Sequence, residues 1–349
     1  MRRAGWGLGI AIVLVMAAGA WLGFRPYLTR EAVNVVFIRP GVKPAPAADA
    51  LESGFRLAVS ESGGRAGRFR LLHRSSEDGT GLSIGATLHI ELDDDVAAAV
   101  SASEGGDCLG DDHLVVSTLG VDPGTPCFRI LPSLGNMGAS AARWAKRAGV
   151  SRVFVLREMF DEGIGAVTAG FETEAKRVGI VVPAAEPVHD PVESVAEEVL
   201  EAGPDCVFYG GERAPFSRMA HVFAALRHQG YRGRLVMADV DIKVSMLDAP
   251  GPLVEGTYLV SPLAPAPADF VPKYRAFAGK DPGPHVYYGY LGGRAALGAI
   301  AAANSRDPGT VRRAAASLPQ FDGKGETRTN FPALYVVKEG RFEFVEVLK

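Results

Sequence analysis

Residues 152–241 read RVFVLREMFDEGIGAVTAGFETEAKRVGIVVPAAEPVHDPVESVAEEVLEAGPDCVFYGGERAPFSRMAHVFAALRHQGYRGRLVMADVD, and the fold is decided here. Arg152–Leu156 is a short apolar run, after which Ile164, Val167, Phe171, Ala175 and Val178 recur at helical spacing. Gly179–Pro183 is the next apolar run, and Val192, Val195 and Val199 again mark a helix. Asp205–Gly211 is a third run ending in glycines, Met219, Val222, Phe223 and Leu226 mark a third helix, and Arg234–Asp239 is a fourth run. Short apolar runs alternating with 3.6-period segments predict βαβ units and a parallel sheet covered on both faces. Ligands of such sheets bind beyond the carboxyl ends of the strands. Those ends carry residues 158–161, 209–212 and 239–241.

The same alternation precedes this stretch. Val33–Ile38 predicts a strand, and Ala48–Ser62 a helix that buries Leu51, Phe55, Leu57 and Val59 and stops at Gly63-Gly64. Phe69–His73, Val96–Val100 and Leu114–Thr118 read as strands, with a helix expected over 82–92. Leu134, Met137, Ala141, Trp144 and Ala148 form the face of the helix that leads to Arg152. Beyond Asp241, Tyr258–Ser261 is an apolar run followed by the stiff Pro262–Pro267 connector. Helices are expected over 270–278, 287–303 and 310–318, the second rich in the small residues that allow close packing. Ala333–Lys338 and Arg341–Val347 predict a hairpin turning at Glu339-Gly340. There are thus two successive α/β segments.

A length of 349 residues suits two domains, and 47% hydrophobic with 22% charged residues is the composition of a packed protein. A formal net charge of −3 with no basic stripe gives no electrostatic footprint for nucleic acid. The first residues differ from the rest. Met1-Arg2-Arg3 is basic, Trp6 to Phe24 is uninterruptedly apolar, and Ala18-Gly19-Ala20 is an A-x-A cleavage signal. Residues 1–24 therefore read as a secretory signal peptide or, uncleaved, as an N-terminal membrane anchor. Either places the remainder in a periplasmic or extracytoplasmic compartment, with the membrane met only through this segment. Of the three cysteines, Cys206 falls in a strand as a small hydrophobe, while Cys108 and Cys127 are candidates for a disulfide permitted by export.

Catalytic motifs are missing: no G-x-S-x-G, no H-E-x-x-H and no glycine-rich phosphate loop of the G-x-x-x-x-G-K type occurs. The seven histidines are scattered without ligand spacing, and Asp93-Asp94-Asp95 lacks the spacing of a calcium loop. Glu158, Asp161 and Glu162 suit the N-terminal end of a helix dipole and have no nucleophile beside them. The reading is a non-enzymatic protein with no cofactor and no metal.

Three stretches carry a resemblance: RVFVLREMFDEGIGAVTAGFETEAKRVGIVV, then VESVAEEVLEAGPDCVFYGGERAPFSRMAHVFAALRHQGYRGRLVMAD, and the tail YYGYLGGRAALGAIAAANSRDPGTVRRAAASLPQFDGKGETR. From about Val33 to the C-terminus the chain resembles the type I periplasmic binding proteins, in their leucine/isoleucine/valine-binding, branched-chain amino acid ABC transporter branch. The resemblance implies an α/β fold of two Rossmann-like lobes with parallel sheets joined by three crossovers, near 130–133, 260–265 and 318–331. Lobe one would hold 33–131 plus 262–320, and lobe two 132–261 plus 321–349. It implies an extracytoplasmic solute-binding protein of an ABC importer that closes by hinge motion on a small amino-acid-like ligand and delivers it to an ABC transporter permease. The alternative is a membrane-anchored sensing receptor.

By the same resemblance the ligand residues are the hydroxyls Ser101, Ser103, Ser117 and Thr118 on lobe one. Lobe two supplies the aromatic ring of Phe160, Tyr209 in a Tyr-Gly-Gly turn, and Asp239 as partner of a ligand ammonium, with Asp241 as the neighbouring alternative. A zwitterion leaving water needs donors at one end and a carboxylate at the other. The first ligand loop is acidic at Glu104 and Asp107, a departure that disfavours an α-carboxylate there.

Overall fold

A computed structural model describes residues 32–39, 46–77, 96–101, 114–117, 128–157, 162–211, 217–239 and 254–349. The N-terminal segment 1–24, the helix expected over 82–92 and Cys108 with Cys127 lie outside the described residues. Among those described, Cys206 is a free, buried thiol, and no helix is long and apolar enough to cross a membrane.

Strand β1 (Ala32–Arg39) and helix α1 (Pro46–Glu61) are followed by β2 (Arg65–Ala66), β3 (Phe69–Glu77), β4 (Val96–Ser101), β5 (Leu114–Ser117) and β6 (Phe128–Arg129). The six strands form one sheet in the order β2-β3-β1-β4-β5-β6, parallel except for the β2–β3 pair. Next come α2 (Leu134–Arg147), β7 (Val153–Arg157), α3 (Glu162–Val178), β8 (Ala185–Pro187), α4 (Val192–Ala202), β9 (Cys206–Tyr209), α5 (Ser217–His228), β10 (Arg234–Ala238) and β11 (Tyr258–Ser261). The chain ends with α6 (Phe270–Ala278), α7 (Val286–Ala303), α8 (Pro308–Ala315), β12 (Ala333–Lys338) and β13 (Arg341–Val347). The second sheet runs β13-β12-β11-β10-β9-β7-β8, its C-terminal hairpin joining antiparallel to β11.

The chain passes between the sheets three times: from β6 into α2, from β11 into α6 and α7, and from α8 into β12. Each sheet has its own core. Phe37, Leu51, Phe55, Val100, Leu114 and Ile300 pack together on the first, with Phe321 closing edge-on against Phe128 at 5.1 Å. Leu156, Tyr209, Phe223, Leu235 and Leu259 fill one face of the second, and Phe171 stacks flat on Phe208 at 4.1 Å on the other.

One expected strand is displaced. The run Gly179–Pro183 gives only a single bridge, Arg152 to Val181, and the ladder beside β7 forms later at β8. The Val153 and Val155 amides donate to the Val181 and Ala184 carbonyls, so two residues of β7 span three of the incoming chain. Pro183 lies in that interval, and lacking an N–H it cannot continue a ladder.

Both sheets share a device for seating helices. A Cβ on Gly54 of α1 would lie 1.9 Å from the Val286 carbonyl oxygen of α7, and one on Gly289 would lie 1.8 Å from the Leu51 oxygen. On the second sheet a Cβ on Gly138 of α2 would lie 1.9 Å from the Val167 oxygen of α3, and one on Gly170 2.2 Å from the Gly135 oxygen. Reciprocal glycines thus bring backbones into contact at one crossing per sheet, as the small residues of the sequence predict for α7.

Candidate functional site: the carboxyl edges of two parallel sheets

The strand order locates the site. In the first sheet β3 and β4 lie on opposite sides of β1, and in the second β8 and β9 lie on opposite sides of β7. At such a reversal the connecting segments leave in opposite directions and open a crevice beyond the strand ends. Ser101 ends β4, next to β1, and Tyr209 ends β9, next to β7.

Ser101 and Ser117 are register partners at the ends of β4 and β5. They sit side by side on one face, about 4.8 Å apart in strand spacing. Both are buried. Arg129 continues the row as the partner of Ser117, and the Ile130 amide donates to the Ser117 carbonyl at 2.9 Å. Arg129 is itself buried and ion-paired with Glu326, while its amide donates to the Gly325 carbonyl at 2.8 Å. Asn330 Nδ2 donates to the Ile130 carbonyl at 2.7 Å, so the first and third crossovers are tied together. Burial lifts the Glu326 carboxyl above its usual value against the attraction of Arg129, with Asp322 adding repulsion.

At the end of β1, Arg39 pairs with Asp49 and with Glu52 of α1, the latter at 2.5 Å. Glu52 is buried and also accepts from Ser75 Oγ and Arg56 Nη2, each at 2.6 Å. Burial works against its charge, but the hydrogen bonds from Ser75 and Arg39 and the charge of Arg56 outweigh it and hold the carboxyl below its usual value.

On the second sheet Asp239 follows β10 directly, its amide donating to the Val260 carbonyl at 2.8 Å. It is 1% exposed, and Ser261 Oγ, at the end of β11, donates to its Oδ2 at 3.1 Å. Tyr209 is fully buried, with its ring edge-on to Phe223 at 6.3 Å inside the second core. Ser103, Thr118, Phe160 and Asp241 lie outside the described residues.

Sequence reasoning passed over Arg39 and Ser261. Arg39 stands at the start of a proline-rich turn, and Ser261 closes an apolar run. Neither has a local motif, and only the pairing of distant segments gives them partners.

With this geometry, the profile of the periplasmic binding protein family matches residues 96–333, well over half of the chain. The chain belongs to the periplasmic binding protein family. That membership makes it a binding protein of the extracytoplasmic space. A search of curated proteins finds no match to it. Solved structures share its fold at low identity. An ABC transporter substrate-binding protein from Desulfitobacterium hafniense has a TM-score of 0.70 at 18% identity, covering 90% of this chain and 99% of its own. A leucine-binding protein from Thermotoga maritima has a TM-score of 0.64 at 17% identity, over 91% and 99% of the two chains. A solute-binding protein of an ABC transporter from Rhodopseudomonas palustris, in complex with 3,4-dihydroxybenzoic acid, has a TM-score of 0.62 at 14% identity, over 91% and 98%.

Proposed function

We propose that this protein is the solute-binding component of an ABC importer, held outside the cytoplasm, that closes two lobes on a small ligand carrying an amine and passes it to a permease. The lobes are 33–131 with 262–320 and 132–261 with 321–349, and Phe321 packs back onto the first core at the boundary. Residues 1–24 carry export and, if uncleaved, anchoring. The observation that carries the reading is Asp239, a buried carboxylate directly after a strand of the second sheet, which accepts the Ser261 hydroxyl among its partners. A carboxylate kept in a crevice draws an ammonium, and charge-assisted hydrogen bonds of that kind are roughly twice as strong as neutral ones. Ser101 and Ser117 supply hydroxyls on the first lobe, where Arg39 and Arg129 are both matched by acidic partners. Ser103, Thr118 and Phe160 complete the expected ligand set, and Tyr209 backs it from within the core.

Some of the similar structures hold leucine, isoleucine or benzoates in their own complexes, so the ligand panel follows from them. A thermal-shift screen of the full-length protein with amino acids, small amides and benzoates tests the proposal. A ligand that binds only the folded state raises the melting temperature by mass action, about 2.7 kcal/mol of stabilisation at a hundred times Kd. An amine-bearing compound is expected to shift it. A shift confined to benzoates removes the role given to Asp239, and no shift with any compound removes the transport reading.

A further inference from the structure

Four consecutive residues of the second crossover, Ser261 to Ala264, are where Asp239 and both cores meet. Ser261 Oγ donates to Asp239 Oδ2 at 3.1 Å and accepts the Leu263 amide at 3.3 Å. A hydroxyl has one proton to give. With Leu263 N–H pointing at the oxygen, that proton is committed to the carboxylate. The Leu263 carbonyl accepts from Tyr335 Oη at 2.8 Å, and Tyr335 belongs to the second core. The Ala264 amide donates to Tyr288 Oη at 2.6 Å, and Tyr288 belongs to the first core. Ser261, Leu263 and Asp239 are all at most 1% exposed, so these bonds form out of water, where an unsatisfied partner is costly.

We propose that Ser261 is a positioning residue that couples Asp239 to the second crossover, so that engagement of the carboxylate is read by the backbone joining the lobes. This rests on Asp239 being the ligand-facing acid of the proposed site. A donor arriving at Asp239 competes for the lone pairs that orient Ser261. If Ser261 turns away, the Leu263 amide loses its acceptor one residue from Ala264, where the first core grips the chain through Tyr288. A ligand that offers a hydrogen-bond donor to Asp239 therefore acts directly on the crossover, whereas one that only fills apolar space does not.

Hydrogen exchange at single-residue resolution on the full-length protein tests this without any ligand. Asp239→Asn keeps the shape but removes the charge that orients the hydroxyl, and the Leu263 amide is expected to exchange about tenfold faster. Ser261→Ala gives the same or a larger acceleration at Leu263, and Ser261→Thr, which keeps the hydroxyl, restores protection. Tyr288→Phe accelerates Ala264 and leaves Leu263 protected. A purely local packing role predicts that Asp239→Asn leaves Leu263 untouched, and that result overturns the coupling. Should Ser261→Ala not fold, Asp239→Asn and Tyr288→Phe still decide it. The exchange result is also separable from the binding reading. A ligand panel that shifts nothing removes transport, while an accelerated Leu263 amide in Asp239→Asn leaves the coupling standing.

Discussion

The carboxyl edges of the two sheets are held in place by different chemistry. On the first, arginines are clamped by carboxylates from other segments: Arg39 by Asp49 and Glu52, and Arg129 by Glu326. On the second, the Asp239 carboxylate accepts from the Ser261 hydroxyl, which accepts from the Leu263 amide in turn. A buried ion pair resists change, because separating its members leaves a charge out of water. A hydroxyl donating to a carboxylate can be exchanged for another donor without leaving a charge unpaired. On the proposed reading the first edge stays put and the second responds.

The comparison breaks most visibly at Glu52. Its carboxylate takes donors from Arg39, Arg56 and Ser75, so Glu52→Ala leaves several groups short of a partner. A loss of about 3 kcal/mol is expected in urea unfolding, with the slope unchanged. Asp239→Asn is expected to cost less, about 1.5 kcal/mol in the same experiment, since an amide oxygen accepts from Ser261 more weakly than the carboxylate does. Its effect falls on binding: an amine-bearing ligand loses about 1.5–3 kcal/mol, or roughly ten- to a hundredfold in Kd by calorimetry.

Acidity sharpens the contrast within the first edge. Glu52 has a folded pKa below its usual 4.5, so its stabilisation is present above that value and disappears as pH falls through the folded pKa. Glu326 has a folded pKa raised above 4.5, so its contribution is fullest below that value and is lost as pH rises through the folded pKa. Melting temperatures followed from about pH 3 to 8 should show Glu52→Gln flattening the acid limb and Glu326→Gln removing the decline on the other side. The smallest effect belongs to Tyr335→Phe, which removes the bond to the Leu263 carbonyl and should cost about 1 kcal/mol in urea unfolding.

Much of this was legible in the chain. The alternation across 152–241 gave α3, α4 and α5 and the strands β7, β9 and β10, because a parallel sheet covered on both faces demands uniformly apolar strands. The second lobe's outer strand was misplaced by a few residues, since Gly179–Pro183 is as apolar as a strand but Pro183 interrupts the ladder. The family resemblance names Ser101, Ser117, Tyr209 and Asp239, and each lies at or directly after a strand end. Their surroundings were not readable. Tyr209 lies in a core because its ring points to the same face as Leu235 and Leu259, a matter of register and not of motif. Arg39 and Ser261 escaped notice because their partners are brought from Asp49, Glu52 and Asp239 by folding, and local periodicity carries no trace of such pairs.

The measurement that bears most directly on the account is calorimetric titration of wild-type protein and Asp239→Asn with L-leucine and with 4-hydroxybenzoate. The amine-bearing compound is expected to bind the wild type and to weaken at least about tenfold in Asp239→Asn, with 4-hydroxybenzoate binding neither. Binding of 4-hydroxybenzoate with equal affinity to both proteins, and none of L-leucine, would contradict it.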